Sequence, residues 1–212
     1  MTVKSILSII IFTLFITSCS TNQLSQDEEY SDDESSFFAN KKLKREAVSQ
    51  VLLSDINHIL FLLKQNDLET LNSRFINKKY GLYEILKDNY ENKIFFNKKL
   101  QIDERSSEID SFDIKEEEVI FNCSPYDDAY YGWNKEGVFI STNIKPYLSD
   151  LMKKANLQND NSYSNEELKR VNIIEKISYE IIIPYNMVFY MTKIDKQWYI
   201  TLIDKIKTEC SE

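Results

Sequence analysis

The chain opens on a largely apolar, uncharged run at residues 6–16, turns abruptly polar over 20–40, and only then takes on the periodicities of a folded domain. From about residue 42, Val48, Val51, Leu52, Ile56, Ile59, Leu60 and Leu63 recur at steps of three and four, which predicts a helix with one core face. Asp67 is placed to cap a second helix with the stripe Leu68, Leu71, Phe75 and Ile76, and Lys79-Tyr80-Gly81 reads as its exit. Aromatic and β-branched residues then cluster over 82–86, 93–102 and 118–123, predicting strands. Asn134-Lys135-Glu136-Gly137 reads as a turn into a strand at 138–141. A helix is expected over 145–155, with Pro146 suited to its first turn, followed by a polar linker at 157–164. Ser164-Asn165-Glu166-Glu167 starts another helix, reaching 174–176. Strands at 178–185, 187–194 and 198–206 close the chain, the last two joined by Asp195-Lys196-Gln197 as a hairpin. The pattern predicts a single α+β domain over 41–212, its N-terminal helices packed on a mostly antiparallel sheet, with a helical insertion near 145–172.

The first apolar run is 11 residues long, whereas a helix needs about 20 to span a bilayer. With Lys4 ahead of it, the run reads as a secretory leader. The tetrad Ile16-Thr17-Ser18-Cys19 resembles the lipobox of bacterial lipoprotein precursors. That resemblance implies a signal peptide at 1–18 and a diacylglyceryl group on Cys19, the first residue of the mature chain. The alternative is an ordinary signal peptide or signal anchor with an incidental cysteine. Two or more acyl chains hold a protein on a membrane that one chain would let it leave. Ser20, where aspartate would retain a lipoprotein at the inner membrane, implies the outer membrane and a domain facing the periplasm. Residues 19–40 hold Asp27-Glu28-Glu29 and Asp32-Asp33-Glu34 and too little apolar surface to fold, so they read as an acidic tether. Ser31-Asp32-Asp33-Glu34 is similar in composition to the acidic export signal of some surface lipoproteins, which makes surface exposure the rival location.

Charge and cysteine usage narrow the picture. Lys4 is the leader's only charge, so the net of -8 becomes -9 in a mature chain of 194 residues. An acidic surface argues against nucleic acid as a partner, while 13 Tyr and 12 Phe supply more aromatic surface than a disordered chain carries. With Cys19 assigned to lipid, Cys123 and Cys210 remain, an even number that suggests one disulfide in an exported protein; two separate thiols are the alternative. Chain entropy puts an unstrained bridge of that span at about 4–5 kcal/mol.

Asn66-Asp67-Leu68-Glu69-Thr70-Leu71 leading to Lys79-Tyr80-Gly81-Leu82-Tyr83, and Gln197-Trp198-Tyr199-Ile200-Thr201-Leu202-Ile203-Asp204, resemble stretches of NTF2-like cones, in which a curved sheet wraps around helices. The first stretch is also similar to bacterial lipoproteins in which a short helix ends at a Tyr-Gly step. The likeness covers about two thirds of the chain, and the insertion between residues 145 and 172 departs from a minimal cone.

One loop concentrates binding chemistry. Residues 123–133 bring Tyr126, Asp127, Asp128, Tyr130 and Trp133 together, and aromatic faces beside carboxylates suit a sugar, a peptide or a cation. The bland alternative is that the aromatics pin the loop to the sheet while the carboxylates face water. His58, the only histidine, falls inside the first helix and reads as a helix-surface or boundary residue. There is no HExxH, CxxC, Gly-rich phosphate loop or GxSxG, and no ligand set for zinc once the cysteines are committed, so no metal or cofactor is expected. The run Lys41-Lys42-Leu43-Lys44-Arg45 reads as a solvated helix start. The residues therefore point to a lipid-anchored envelope module that binds a small ligand or another envelope protein without catalysis. Its rivals are a small-pocket enzyme using a carboxylate for acid–base work, and an immunity or assembly accessory protein with one specific partner.

Overall fold

The computed structural model describes residues 45–88, 91–101, 109–124, 126, 131–141, 143–144, 147–158, 162–208 and 210. The expected leader, Cys19 and the tether lie outside the described residues. Four helices are described: α1 (Gln50–Lys64), α2 (Leu68–Phe75), α3 (Leu148–Gln158) and α4 (Asn165–Ile177). The strands are β1 (Leu82–Asp88), β2 (Glu91–Asn97), β3 (Ile114–Lys115), β4 (Phe121–Asn122), β5 (Gly132–Trp133), β6 (Val138–Ser141), β7 (Tyr179–Ile183), β8 (Met187–Ile194) and β9 (Gln197–Asp204). The protein is α+β, with seven strands in one mixed, mostly antiparallel sheet of order β2-β1-β9-β8-β7-β6-β3, and β4 paired with β5 beside it.

Local chemistry sets the element boundaries. The Ser49 hydroxyl accepts from the Leu52 N–H and starts α1 there, several residues after the expected start, and residues 45–49 are not helical. Val51, assigned by spacing to the core stripe, is exposed. Asp67 caps α2 by accepting from the Thr70 N–H, as its position suggested. The exit uses Asn77, whose side-chain oxygen accepts from the N–H groups of Lys79 and Tyr80. Gly81 follows at φ 60, where a Cβ would lie 2.6 Å from the Asn97 carbonyl. Ser164 and Glu167 form a reciprocal capping box at the start of α4. Asp195 and Lys196 both take positive φ, making a two-residue hairpin turn between Ile194 and Gln197.

Three strand expectations shrink in the structure. The run expected at 93–102 pairs only as Glu91–Asn97, that at 118–123 only as Phe121–Asn122, and that at 178–185 only as Tyr179–Ile183. One helix expectation shifts as well: α3 starts at Leu148 and runs on to Gln158, into the expected linker. Apolar composition marked each segment, but only the part with a hydrogen-bonded neighbour becomes sheet.

The helical insertion turns out to be a second layer. On one face of the sheet, Leu52, Ile56, Ile59, Leu63, Leu71 and Phe75 from α1 and α2 pack on Ile181, Phe189, Trp198 and Ile200. On the other face, Leu148, Met152, Val171 and Ile174 from α3 and α4 pack on Ile182, Val188, Tyr190 and Leu202. Strands covered on both faces lose the apolar/polar alternation, and all five residues of β7 are buried. Between β8 and β9 the register slips, with Tyr190 opposite Leu202 and Met191 opposite Ile200, so Thr201 is the extra residue of a bulge.

Buried hydroxyls resolve that bulge. Thr201 Oγ1 lies 2.5 Å from Thr192 Oγ1, which lies 2.6 Å from Ser178 Oγ, and the Ser178 hydroxyl donates to the Ile174 carbonyl at 2.5 Å. With that end fixed as donor, the chain has one direction: Thr201 donates to Thr192 and Thr192 to Ser178. All three residues are buried and tie the end of α4 to the two central strands. Replacing Thr192 with valine keeps the shape but strips the Thr201 hydroxyl of its short acceptor, and should cost about 1–2 kcal/mol. Urea unfolding of Thr192→Val against Thr192→Ser, which keeps the hydroxyl and should lose less, checks it.

Candidate functional site

The most concentrated polar chemistry in the core sits under the helical insertion, where the chain leaves β9. Asp204 Oδ1 accepts from the N–H groups of Ile206 at 3.0 Å and Lys207 at 3.3 Å, turning the chain over the sheet. That turn sends the Lys207 ammonium back onto the sheet. It donates to Glu180 Oε1 at 2.7 Å and to the Tyr190 hydroxyl at 3.1 Å, and lies 3.7 Å from Asp204 Oδ2. The Tyr190 hydroxyl donates to the same Glu180 oxygen at 2.7 Å. The rings of Tyr147 and Tyr190 stand 5.6 and 5.8 Å from the ammonium, within cation–π range. Glu175 of α4 adds a third carboxylate, its Oε1 accepting from the N–H groups of Tyr147 at 2.8 Å and Ser149 at 3.1 Å and so capping α3.

Burial decides the electrostatics. Asp204 has no solvent exposure, and desolvation holds its carboxyl above the ordinary range against the opposing pull of Lys207 and the two amides. Burial alone would lower the Lys207 pKa, but Glu180 and Asp204 together raise it, so the ammonium keeps its charge. Burial and the charges of Glu180 and Asp204 push the Tyr190 hydroxyl well up, while burial and then Asp204 push Tyr147 up to about 12. The arrangement is a neutralising cluster, with one part-exposed cation holding two buried carboxylates and a phenol.

The loop at 123–133 is fastened to this cluster. Trp133 is buried, packs its ring at a tilt against Phe121 with centroids 4.9 Å apart, and donates its indole N–H to the Lys207 carbonyl at 2.9 Å. Cys123 and Cys210 are joined as a disulfide with Cα atoms 5.4 Å apart, tying the other end of the loop to the same tail. Tyr126 is 93% exposed and Tyr131 is exposed beside β5. Asp127, Asp128 and Tyr130 lie outside the described residues. Trp133 thus takes the pinning role among the loop aromatics and Tyr126 the solvent-facing one. His58 stands edge-on to Phe75 at 5.6 Å, within the contact of α1 with α2.

Two features were invisible to motif reading. Tyr185, in the turn between β7 and β8, adopts φ 62, a conformation costly for an aromatic residue. Its ring packs over Gly132, where a Cβ would meet it at 3.2 Å, and its hydroxyl donates to the Trp133 carbonyl at 3.3 Å. The Glu180–Lys207 pair joins β7 to the tail across 27 positions, a separation no local pattern reports. The nearest sequence signal is Glu180 itself, a single charge inside an otherwise apolar strand. Among the described residues, no group of three His, Cys, Asp or Glu could hold a metal ion, and no helix is long and apolar enough to cross a membrane.

No family model, curated protein or solved structure matches this chain.

Removing the ammonium would leave Glu180 and Asp204 buried without their cation. Lys207→Ala should therefore destabilise the fold by about 3 kcal/mol in chemical denaturation at neutral pH. The phenol gives a pH signature. Unfolded Tyr147 ionises near its ordinary 10 but the folded residue only at about 12, so the neutral ring's contribution to stability is complete below pH 10 and is lost as pH rises towards 12. Tyr147→Phe should flatten that part of the alkaline stability curve relative to the wild type.

Proposed function

We propose that the protein is a lipid-anchored lipoprotein of the bacterial cell envelope, held by acylated Cys19, whose domain is a non-catalytic binding or interaction module. The observation that carries the anchor is the tetrad Ile16-Thr17-Ser18-Cys19 behind a short charged end and an apolar run too short to span a bilayer. Ser20 after the cysteine favours the outer membrane, facing the periplasm, with exposure on the cell surface as the rival placement. The Cys123–Cys210 disulfide suits an oxidising compartment.

Three features favour binding over catalysis. Both faces of the sheet are filled by side-chain clusters. Each of the cluster's carboxylates has at least one oxygen committed to Lys207 or to backbone amides. The exposed aromatics Tyr126, Tyr131 and Tyr185 sit on segments fastened to the sheet, where a contact surface is held in one shape. An NTF2-like cone is the architecture we favour for the sheet with α1 and α2, the second helical layer being its addition. The enzyme reading draws on a carboxyl that burial holds above its ordinary range, most deeply at Asp204. A residue with no exposed surface has no route to a substrate in this conformation.

The test is the non-reduced intact mass of the protein extracted in mild detergent from its native envelope, with the N-terminal peptide mapped. The expected result is a chain beginning at acylated Cys19 and lighter by the two hydrogens of one disulfide. An unacylated chain that retains Met1 and carries free thiols at Cys123 and Cys210 would overturn the reading.

A further inference from the structure

Lys207 is placed in its cluster as a ligand is placed in a receptor. Its ammonium donates to Glu180 Oε1 at 2.7 Å and to the Tyr190 hydroxyl at 3.1 Å, with the Tyr147 and Tyr190 rings at 5.6 and 5.8 Å. Carboxylates beside aromatic faces are the surroundings that recognise a primary ammonium group, and they refuse an anion. The chain fills this cage with its own side chain.

The built-in occupant does not use the cage fully. An ammonium has three N–H donors, and Lys207 gives two of them to Glu180 and Tyr190. Asp204 Oδ2 stands 3.7 Å from the ammonium, is buried, and accepts no hydrogen bond among the described residues. Glu175 Oε2 is buried in the same condition, so three carboxyl groups share one cation. The backbone that carries Lys207 is held by other means: Asp204 Oδ1 accepts from the N–H groups of Ile206 and Lys207, and the Trp133 indole donates to the Lys207 carbonyl. The four-carbon side chain can therefore swing out while the tail stays in place. It is 29% exposed, so its departure opens to solvent the route to Asp204 that it otherwise closes. A free ammonium, not tied to that backbone, can give its third donor to Asp204 Oδ2.

We infer that Glu180, Asp204, Tyr147 and Tyr190 form a receptor cage for a primary alkylammonium group, with Lys207 as its built-in occupant. An external alkylammonium, either a free amine or a lysine side chain of a partner, takes the place of Lys207. The inference deepens the binding role proposed above and rests on that reading for the use made of the cage.

Lys207→Ala removes three methylenes and the ammonium, the outline of n-propylammonium. The test adds n-propylammonium chloride to the full-length variant in mild detergent at neutral pH and follows the urea midpoint by circular dichroism. The midpoint should rise and saturate, with half the effect at about millimolar amine. If the variant does not fold alone, the amine should restore the folded signal with the same dependence. Sodium chloride at equal ionic strength and 1-propanol should give no saturable rise. Adding Glu180→Gln to Lys207→Ala should weaken the response by about tenfold or more. The wild type, in which the amine must displace a tethered competitor, should need about tenfold more amine or above. A Gly-Lys-Gly peptide that acts at lower concentration than propylammonium assigns the cage to a partner's lysine; a weaker one assigns it to a free amine, and both results support the cage. Lys207→Ala protein without a saturable response, a response that sodium chloride reproduces or Glu180→Gln leaves unchanged, or a wild type indifferent at about a hundredfold more amine would overturn the inference. Such a failure leaves the anchored module standing, whereas an unacylated chain in the intact-mass measurement withdraws the envelope reading and leaves the cage.

Discussion

The constraint on which the structure depends is the burial of β7, β8 and β9 on both faces. A strand run such as Tyr179–Ile183, all five residues buried, cannot face water on either side. It therefore requires two helical layers, and the chain supplies them from distant places: α1 and α2 before the sheet, α3 and α4 as an insertion within it. The clusters around Ile181 and Phe189 on one face and around Ile182 and Val188 on the other are the two halves of that requirement. Because the central strands have no wet face, each polar group on them needs an internal partner. The hydroxyl chain Thr201–Thr192–Ser178 and the Lys207 cluster are the two answers, one neutral and one ionic.

The ionic answer costs more to build and confers more. Three largely buried carboxylates beside one another would repel, and a single ammonium cannot neutralise them all. The protein meets this by unequal treatment. Glu175 is spent on the first N–H groups of α3, Glu180 takes the short bond from Lys207, and Asp204 is held at a raised pKa with two amides on one oxygen. Lys207 thus sets the position of the tail, and Trp133 and Cys123 are fastened to that tail in turn. This links the stability of the core to the placement of the loop that carries Tyr126 and Tyr131.

What the sequence revealed and what it hid divide along the range of the interactions. Local signals were readable: the caps at Asp67 and Ser164, the Gly81 exit, the turn between β8 and β9, and the span Met187–Ile194 all follow from a few neighbouring residues. Cys123 and Cys210 could be paired by counting. The second helical layer was noticed only as an insertion, since periodicity reports which face of a helix is apolar and not which face of a sheet it covers. The parallel pairing of β1 with β9 and the reach of Lys207 to Glu180 were hidden because they join segments with no common local pattern. Tyr185 was hidden for another reason: nothing in Pro184-Tyr185-Asn186 reports that an aromatic residue would accept a left-handed backbone.

That strain at Tyr185 is best understood with the loop in view. A glycine or asparagine at this position would relieve the backbone but remove the ring that covers Gly132 and the hydroxyl that reaches the Trp133 carbonyl. The turn therefore gives up conformational energy of about 1–2 kcal/mol to hold β5 in place, which the Lys207 carbonyl also holds through the Trp133 indole. A short two-stranded ribbon such as β4 with β5 has little stability of its own. Held by the indole bond, the disulfide and the Tyr185 ring, it becomes a fixed base for the exposed tyrosines. Such fastening lowers the entropy a contact surface loses when it meets a partner.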